Sequence, residues 1–181
     1  KLGDIFWHAA ATDQEAGYFP SAGLFEASLL LNERLAEELG VPASTVVSTR
    51  DVPGWTRAAL PLLARHNITG MSFGSGTPPG RPNGFPALFV WRDIQSGAEV
   101  VVTSESGYGG WGQLFVLPNG VGLAADWTGD NSGPAEIESG LEKLRGEFPG
   151  AHVHSSTFSA FFEEANKPSN KAGLPLVTAE M

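Results

Sequence analysis

The chain has 181 residues, no cysteine, 41% hydrophobic and 17% charged residues, and a net charge of −9 at pH 7. A chain of this length buries about 70% of the surface it exposes when unfolded, so it fits a single α/β-sized domain over residues 1–181 rather than a disordered tail. The acidic balance, with a pI near 4.8, repels phosphate backbones and argues against a nucleic-acid partner; no apolar run approaches the roughly 20 residues of a membrane span, and the lack of thiols removes disulfides and cysteine chemistry.

In chain order, Lys1-Leu2-Gly3-Asp4 opens without an initiator Met, which suggests a processed piece of something longer. Ile5-Phe6-Trp7-His8-Ala9 reads as a short buried strand. Ser21 to Leu39 reads as a helix, with Leu24, Ser28, Leu31, Leu35 and Leu39 on one face and Gly40 as its stop. Thr45-Val46-Val47-Ser48 is a second strand. It is followed by a helix whose first turn holds Pro53 and which Pro61 should kink or divide. Ile68 to Phe73 supplies a third strand, and β-α-β-α-β order with right-handed crossovers predicts a parallel sheet.

Gly74 to Gly84 is a Gly/Pro-rich exposed loop. Short β-type runs follow at Ala87 to Trp91, Glu99 to Thr103, Gln113 to Leu117 and Val121 to Asp126, predicting a hairpin-rich insertion around 86–126. Helical spacing returns at Ile137, Leu141, Leu144 and Phe148, between Ser132-Gly133-Pro134 and Pro149-Gly150. His152-Val153-His154 reads as a strand and Phe158, Phe161, Phe162 and Ala165 as a helix face. Leu174 to Thr178 begins a last strand, which suggests a fold continuing beyond Met181. Asn67-Ile68-Thr69 is a glycosylation sequon, of consequence in a secreted eukaryotic protein.

Four stretches could hold chemistry. The first is Ser48-Thr49-Arg50-Asp51-Val52-Pro53-Gly54, where a predicted parallel strand gives way to a helix and ligands collect. A carboxylate at Asp51 facing a helix N-terminus stays ionised, as a nucleophile or a metal ligand must; the bland alternative is a helix cap. The second is Trp7-His8 with Asp13 and Glu15, an aromatic and carboxylates of the kind that hold a sugar, or else a buried Trp beside solvated acids. The third is the glycine-rich run from Ser106 to Gly112, where Tyr108 and Trp111 form a platform or merely a flexible turn. The fourth is the loop from Asp126 to Pro134, where Asp130 offers a second carboxylate and Asn131 a polar contact, or where both simply cap a helix. His152 and His154 share one face of a strand and could chelate, though a solvent-facing pair is the commoner outcome.

The parts occur in an order that resembles the barrel of the family 38 glycoside hydrolases, the retaining α-mannosidases, and more closely a largely fungal relative, domain of unknown function 5054. The likeness is carried by Phe6-Trp7, Asp13-Gln14-Glu15, the helix from Ser21, Asp51-Val52-Pro53-Gly54 and His66-Asn67-Ile68. Downstream it is carried by Phe89-Val90-Trp91-Arg92-Asp93, Gly107-Tyr108-Gly109, Asp130-Asn131-Ser132-Gly133-Pro134 and Leu174 to Glu180. The resemblance implies a secreted, carbohydrate-active enzyme in which Asp51 is the nucleophile and also helps bind zinc. The chain would be the middle of a partial β/α barrel, mainly parallel, completed by the remainder of the same protein or by a companion chain. It departs from the family in having Asp-Val-Pro-Gly where Asp-x-Phe-Gly stands, and in lacking the amino-terminal His-x-Asp zinc ligands.

The leading expectation is therefore retaining glycoside hydrolysis, with Asp51 as nucleophile, Asp13 or Asp130 as acid/base, and Trp7, His8, Arg50, Tyr108, Trp111 and Asn131 binding substrate. An inactive carbohydrate-binding or structural piece is the alternative, with Asp51 only a cap. A polysaccharide deacetylase ranks third, because it needs an Asp with paired histidines.

Overall fold

The computed structural model describes residues 6–9, 21–50, 54–75, 84–106, 113–125 and 137–181. Helix α1 (Ala22–Leu39) begins where the Ser21 side chain accepts from the Leu24 N–H at 3.2 Å and ends at Gly40, whose left-handed φ of 60° suits glycine. Its inward face is not the expected leucine stripe. Phe25, Ser28, Leu29, Asn32 and Ala36 are buried, while Leu24, Leu31, Leu35 and Leu39 stay exposed. Leucines lie on most sides of this helix, so spacing alone could not choose a face; the choice falls where a polar anchor fits. Asn32 takes the Trp7 indole N–H at 3.2 Å and donates to the Ser44 carbonyl at 3.0 Å, tying the helix to the chain on both sides of it.

Strand β1 (Val46–Arg50) leads to a single 3₁₀ turn (Arg57–Ala59) and then helix α2 (Leu60–Arg65). The helix expected to start at Pro53 thus starts at Arg57, and its cap is the Thr56 hydroxyl, which accepts from the Ala58 N–H. Pro61 divides the segment as expected, because a proline fits the first turn of a helix but not its interior. Asp51, Val52 and Pro53 lie outside the described residues. After α2 the chain turns through Asn67 at φ 55° into strand β2 (Gly70–Ser75).

Strands β3 (Leu88–Arg92) and β4 (Glu99–Ser106) form a hairpin whose turn is held by Asp93, its carboxylate accepting from the Ser96 N–H at 2.9 Å and hydroxyl at 2.6 Å. Both strands belong to the main sheet. The expected insertion around 86–126 is therefore split, since only β5 (Leu114–Val116) and β6 (Gly122–Ala124) form a separate two-stranded sheet. Helix α3 (Ile137–Glu147) matches its predicted span, and α4 (Phe158–Ala165) is capped by Thr157. No strand forms at His152-Val153-His154, where the chain is irregular and the two rings lie 5.0 Å apart. A short helix α5 (Pro168–Lys171) precedes β7 (Leu176–Val177).

The main sheet has the order β1-β2-β4-β3-β7. β1, β2 and β4 run parallel, β3 is antiparallel to β4, and β7 is parallel to β3, so the fold is α/β with a mostly parallel sheet. Phe6 to Ala9, expected as a strand, are not one, yet the Ala9 N–H donates to the Val46 carbonyl at 2.7 Å beside β1.

Register determines what each face carries. In-register residues of parallel strands point to one side. One face reads Val47-Met71-Val102 and is sealed by Phe25, Leu29, Trp55, Leu60 and Leu63 from the α1 and α2 side. The other reads Val46-Gly70-Val101, then Ser48-Ser72-Thr103, then Arg50-Gly74-Glu105. Its first row packs under Phe161, Phe162 and Ala165 of α4, with Phe115 and Leu117 from the small sheet. Gly70 is what lets α4 approach, since a Cβ there would stand 2.4 Å from the Phe162 ring.

Candidate functional site

The polar rows lie at the carboxyl ends of the three parallel strands. The Arg50 side chain reaches across β2 and places Nη2 at 2.9 Å from the Glu105 Oε1. Arg50 and Glu105 are separated by two strand spacings, about 10 Å, and the residue in line between them is Gly74, which leaves that path without a side chain. One row down, the Ser72 hydroxyl accepts from Arg50 Nη2 at 3.0 Å and donates to Glu105 Oε1 at 3.4 Å. Arg50 Nη1 further donates to the Thr49 carbonyl at 2.8 Å and the Ser72 carbonyl at 3.2 Å.

These are buried charges, with side-chain exposures of 7% for Arg50 and 0% for Glu105. Burial raises the Glu105 carboxyl above its ordinary value, against the pull of Arg50 and the Ser72 hydrogen bond; burial likewise lowers Arg50, against the pull of Glu105. At 2.9 Å the two meet as an ion pair. Among the described residues the far oxygen of Glu105 and the Thr103 hydroxyl, both buried, find no hydrogen-bond partner, an unusual state for two neighbouring polar groups on one strand.

Beside this layer, flanking β1, is a cleft of about 420 Å³ lined by Phe6, Trp7 and His8, by Leu123 to Ala125, and by Ser156 to Ser159. Phe6 is 64% exposed. The Trp7 indole N–H is engaged by Asn32, so what remains to offer a ligand is ring surface. His8 packs its ring on Phe158 with centroids 5.6 Å apart. Burial lowers its pKa first and the nearby Arg50 charge lowers it further, so His8 presents a neutral imidazole able to donate one hydrogen bond and accept another.

Of the residues singled out from sequence, His8 lies close enough to Arg50 to feel its charge, while Trp7 lines the neighbouring cleft with its indole N–H turned to Asn32 of α1. Asp13, Asp51, Tyr108, Trp111, Asp130 and Asn131 lie outside the described residues. Glu105 was missed. Its signal was present, since a lone acid two places after Thr103 in the β-branched run Val100-Val101-Val102-Thr103-Ser104-Glu105 must share a face with Thr103 and Val101. Among the described residues no three His, Asp or Glu side chains converge to hold a metal ion, so these residues alone do not furnish the zinc site that the resemblance implies. No family model matches the chain, and no curated protein matches it significantly.

Proposed function

We propose that the chain is an α-mannosidase-like glycoside hydrolase domain that works by a retaining mechanism, its parallel strands forming part of a β/α barrel completed by other polypeptide. The observation that supports this best is the Arg50–Glu105 pair, which fixes the residue adjoining Asp51 in a polar layer at the carboxyl ends of β1, β2 and β4. Ligand sites of parallel α/β sheets gather at that end. In the mechanism, the Asp51 carboxylate attacks the anomeric carbon and the glycosidic bond to the leaving group breaks. The leaving oxygen takes a proton from a second acid, Asp13 or Asp130, and water then releases the sugar from Asp51. Glu105 is fully buried and does not touch substrate; it positions Arg50. Zinc, as in the resembling family, would supply contacts to sugar hydroxyls, and Asp51 is its expected ligand.

The test is hydrolysis of an aryl α-mannoside by the parent chain and by Asp51→Asn. Loss of turnover with sugar affinity retained supports the reading, and equal turnover in the variant removes Asp51 as nucleophile. The exposed aromatic surface of the Phe6–His8 cleft favours a second reading, carbohydrate binding without hydrolysis. Mannoside binding by both proteins, with turnover by neither, would select it.

A further inference from the structure

Away from the polar layer, Asn67 is the residue just past the C-cap of α2: the Asn67 N–H donates to the Ala64 carbonyl and the Ile68 N–H to the Leu63 carbonyl at 2.9 Å, with Asn67 at φ 55°. Asparagine is the residue that tolerates this left-handed position best after glycine, so the turn by itself accounts for an Asn here. It does not account for the threonine two places on. Ile68 is 1% exposed and anchors the turn in the core, while Asn67 and Thr69 on either side of it face solvent. The acceptor amide and the Thr69 hydroxyl are thus presented together, with the middle residue a non-proline. Asn67-Ile68-Thr69 is also the only such triplet in the chain.

Position favours it as well. Asn67 precedes the amino end of β2, whereas Gly74, the residue between Arg50 and Glu105, lies at the carboxyl end. Thr69 opens onto a cleft of about 400 Å³ lined by Thr45, Ser159, Glu163, Asn166 and Lys167, which leaves room for a sugar beside the turn. We propose that Asn67 is an acceptor for N-linked glycosylation, with the first sugar placed at the turn between α2 and β2 and leaving the Arg50–Glu105 layer uncovered.

Glycosylation at Asn67 does not depend on the hydrolase reading. The experiment is translation of the full chain behind a cleavable leader into microsomes. A second acceptor triplet appended at its C-terminus reports entry into the lumen. The expected product carries two glycans, both released by peptide N-glycosidase, and one only in Asn67→Gly, which keeps the left-handed turn, and in Thr69→Ala. Thr69→Ser should retain both. A product glycosylated at the appended triplet alone, or one whose second glycan persists in Asn67→Gly and Thr69→Ala, would overturn the proposal.

Discussion

The two ends of a single sheet face use opposite chemistry. At its amino end Val46, Gly70 and Val101 lie under the aromatic face of α4, and packing is close enough that a methyl group at Gly70 has no room. The next two rows of the same strands carry Ser72 and Thr103, then Arg50 and Glu105, side chains shielded from water. A buried ion pair is a weak device for stability, because desolvation offsets most of its attraction and a well-packed apolar replacement is often as good or better. The amino end is built for packing; the carboxyl end keeps charges where apolar side chains would serve the fold equally well.

That contrast can be broken at either end. The largest effect is expected from Phe162→Ala, which empties the space between α4 and Gly70 and should lower unfolding stability by about 3–5 kcal/mol in urea titrations. Glu105→Leu alone leaves Arg50 buried without its anion and should cost a similar amount, about 3–5 kcal/mol. Adding Arg50→Met to Glu105→Leu should then recover that loss, giving a double variant at or above the parent's stability. A double variant as unstable as the single one would mean the pair is architectural. Gly70→Ala should cost about 1–3 kcal/mol through overpacking against Phe162, again read from urea midpoints.

The smallest predicted effect is a pH dependence. The folded pKa of His8 lies below its unfolded value of about 6.5, so the folded state binds fewer protons than the unfolded one. Its contribution is fully present above that value and is lost as pH falls through it toward the lowered folded value. Urea midpoints measured from pH 8 to pH 5 should fall less steeply in His8→Gln than in the parent. An unchanged slope would mean His8 is not held neutral.

Much of the fold was legible because it rests on local signals. Ser21 and Gly40 bracket α1 by capping chemistry, the β-branched runs became β1 and β4, and Pro61 divided its segment. What spacing could not supply was anything decided between distant elements. Which side of α1 faces inward depends on Asn32 finding Trp7 and Ser44, and whether β3 and β4 join the main sheet depends on β4 pairing with β2. The candidate site shows the same division. Trp7, His8 and Arg50 stood out because they lie at the ends of predicted strands, but Glu105 acquires meaning only when register carries it into line with Arg50, 55 positions earlier in the chain. His152 and His154 show the reverse error, since an alternation that would suit a strand sits in irregular chain.

The most direct test of the central claim is to measure stability and aryl α-mannoside hydrolysis together in the Arg50→Met/Glu105→Leu double variant. The account predicts a urea midpoint at or above the parent's with hydrolysis abolished. Hydrolysis at the parent rate in that folded variant would contradict it.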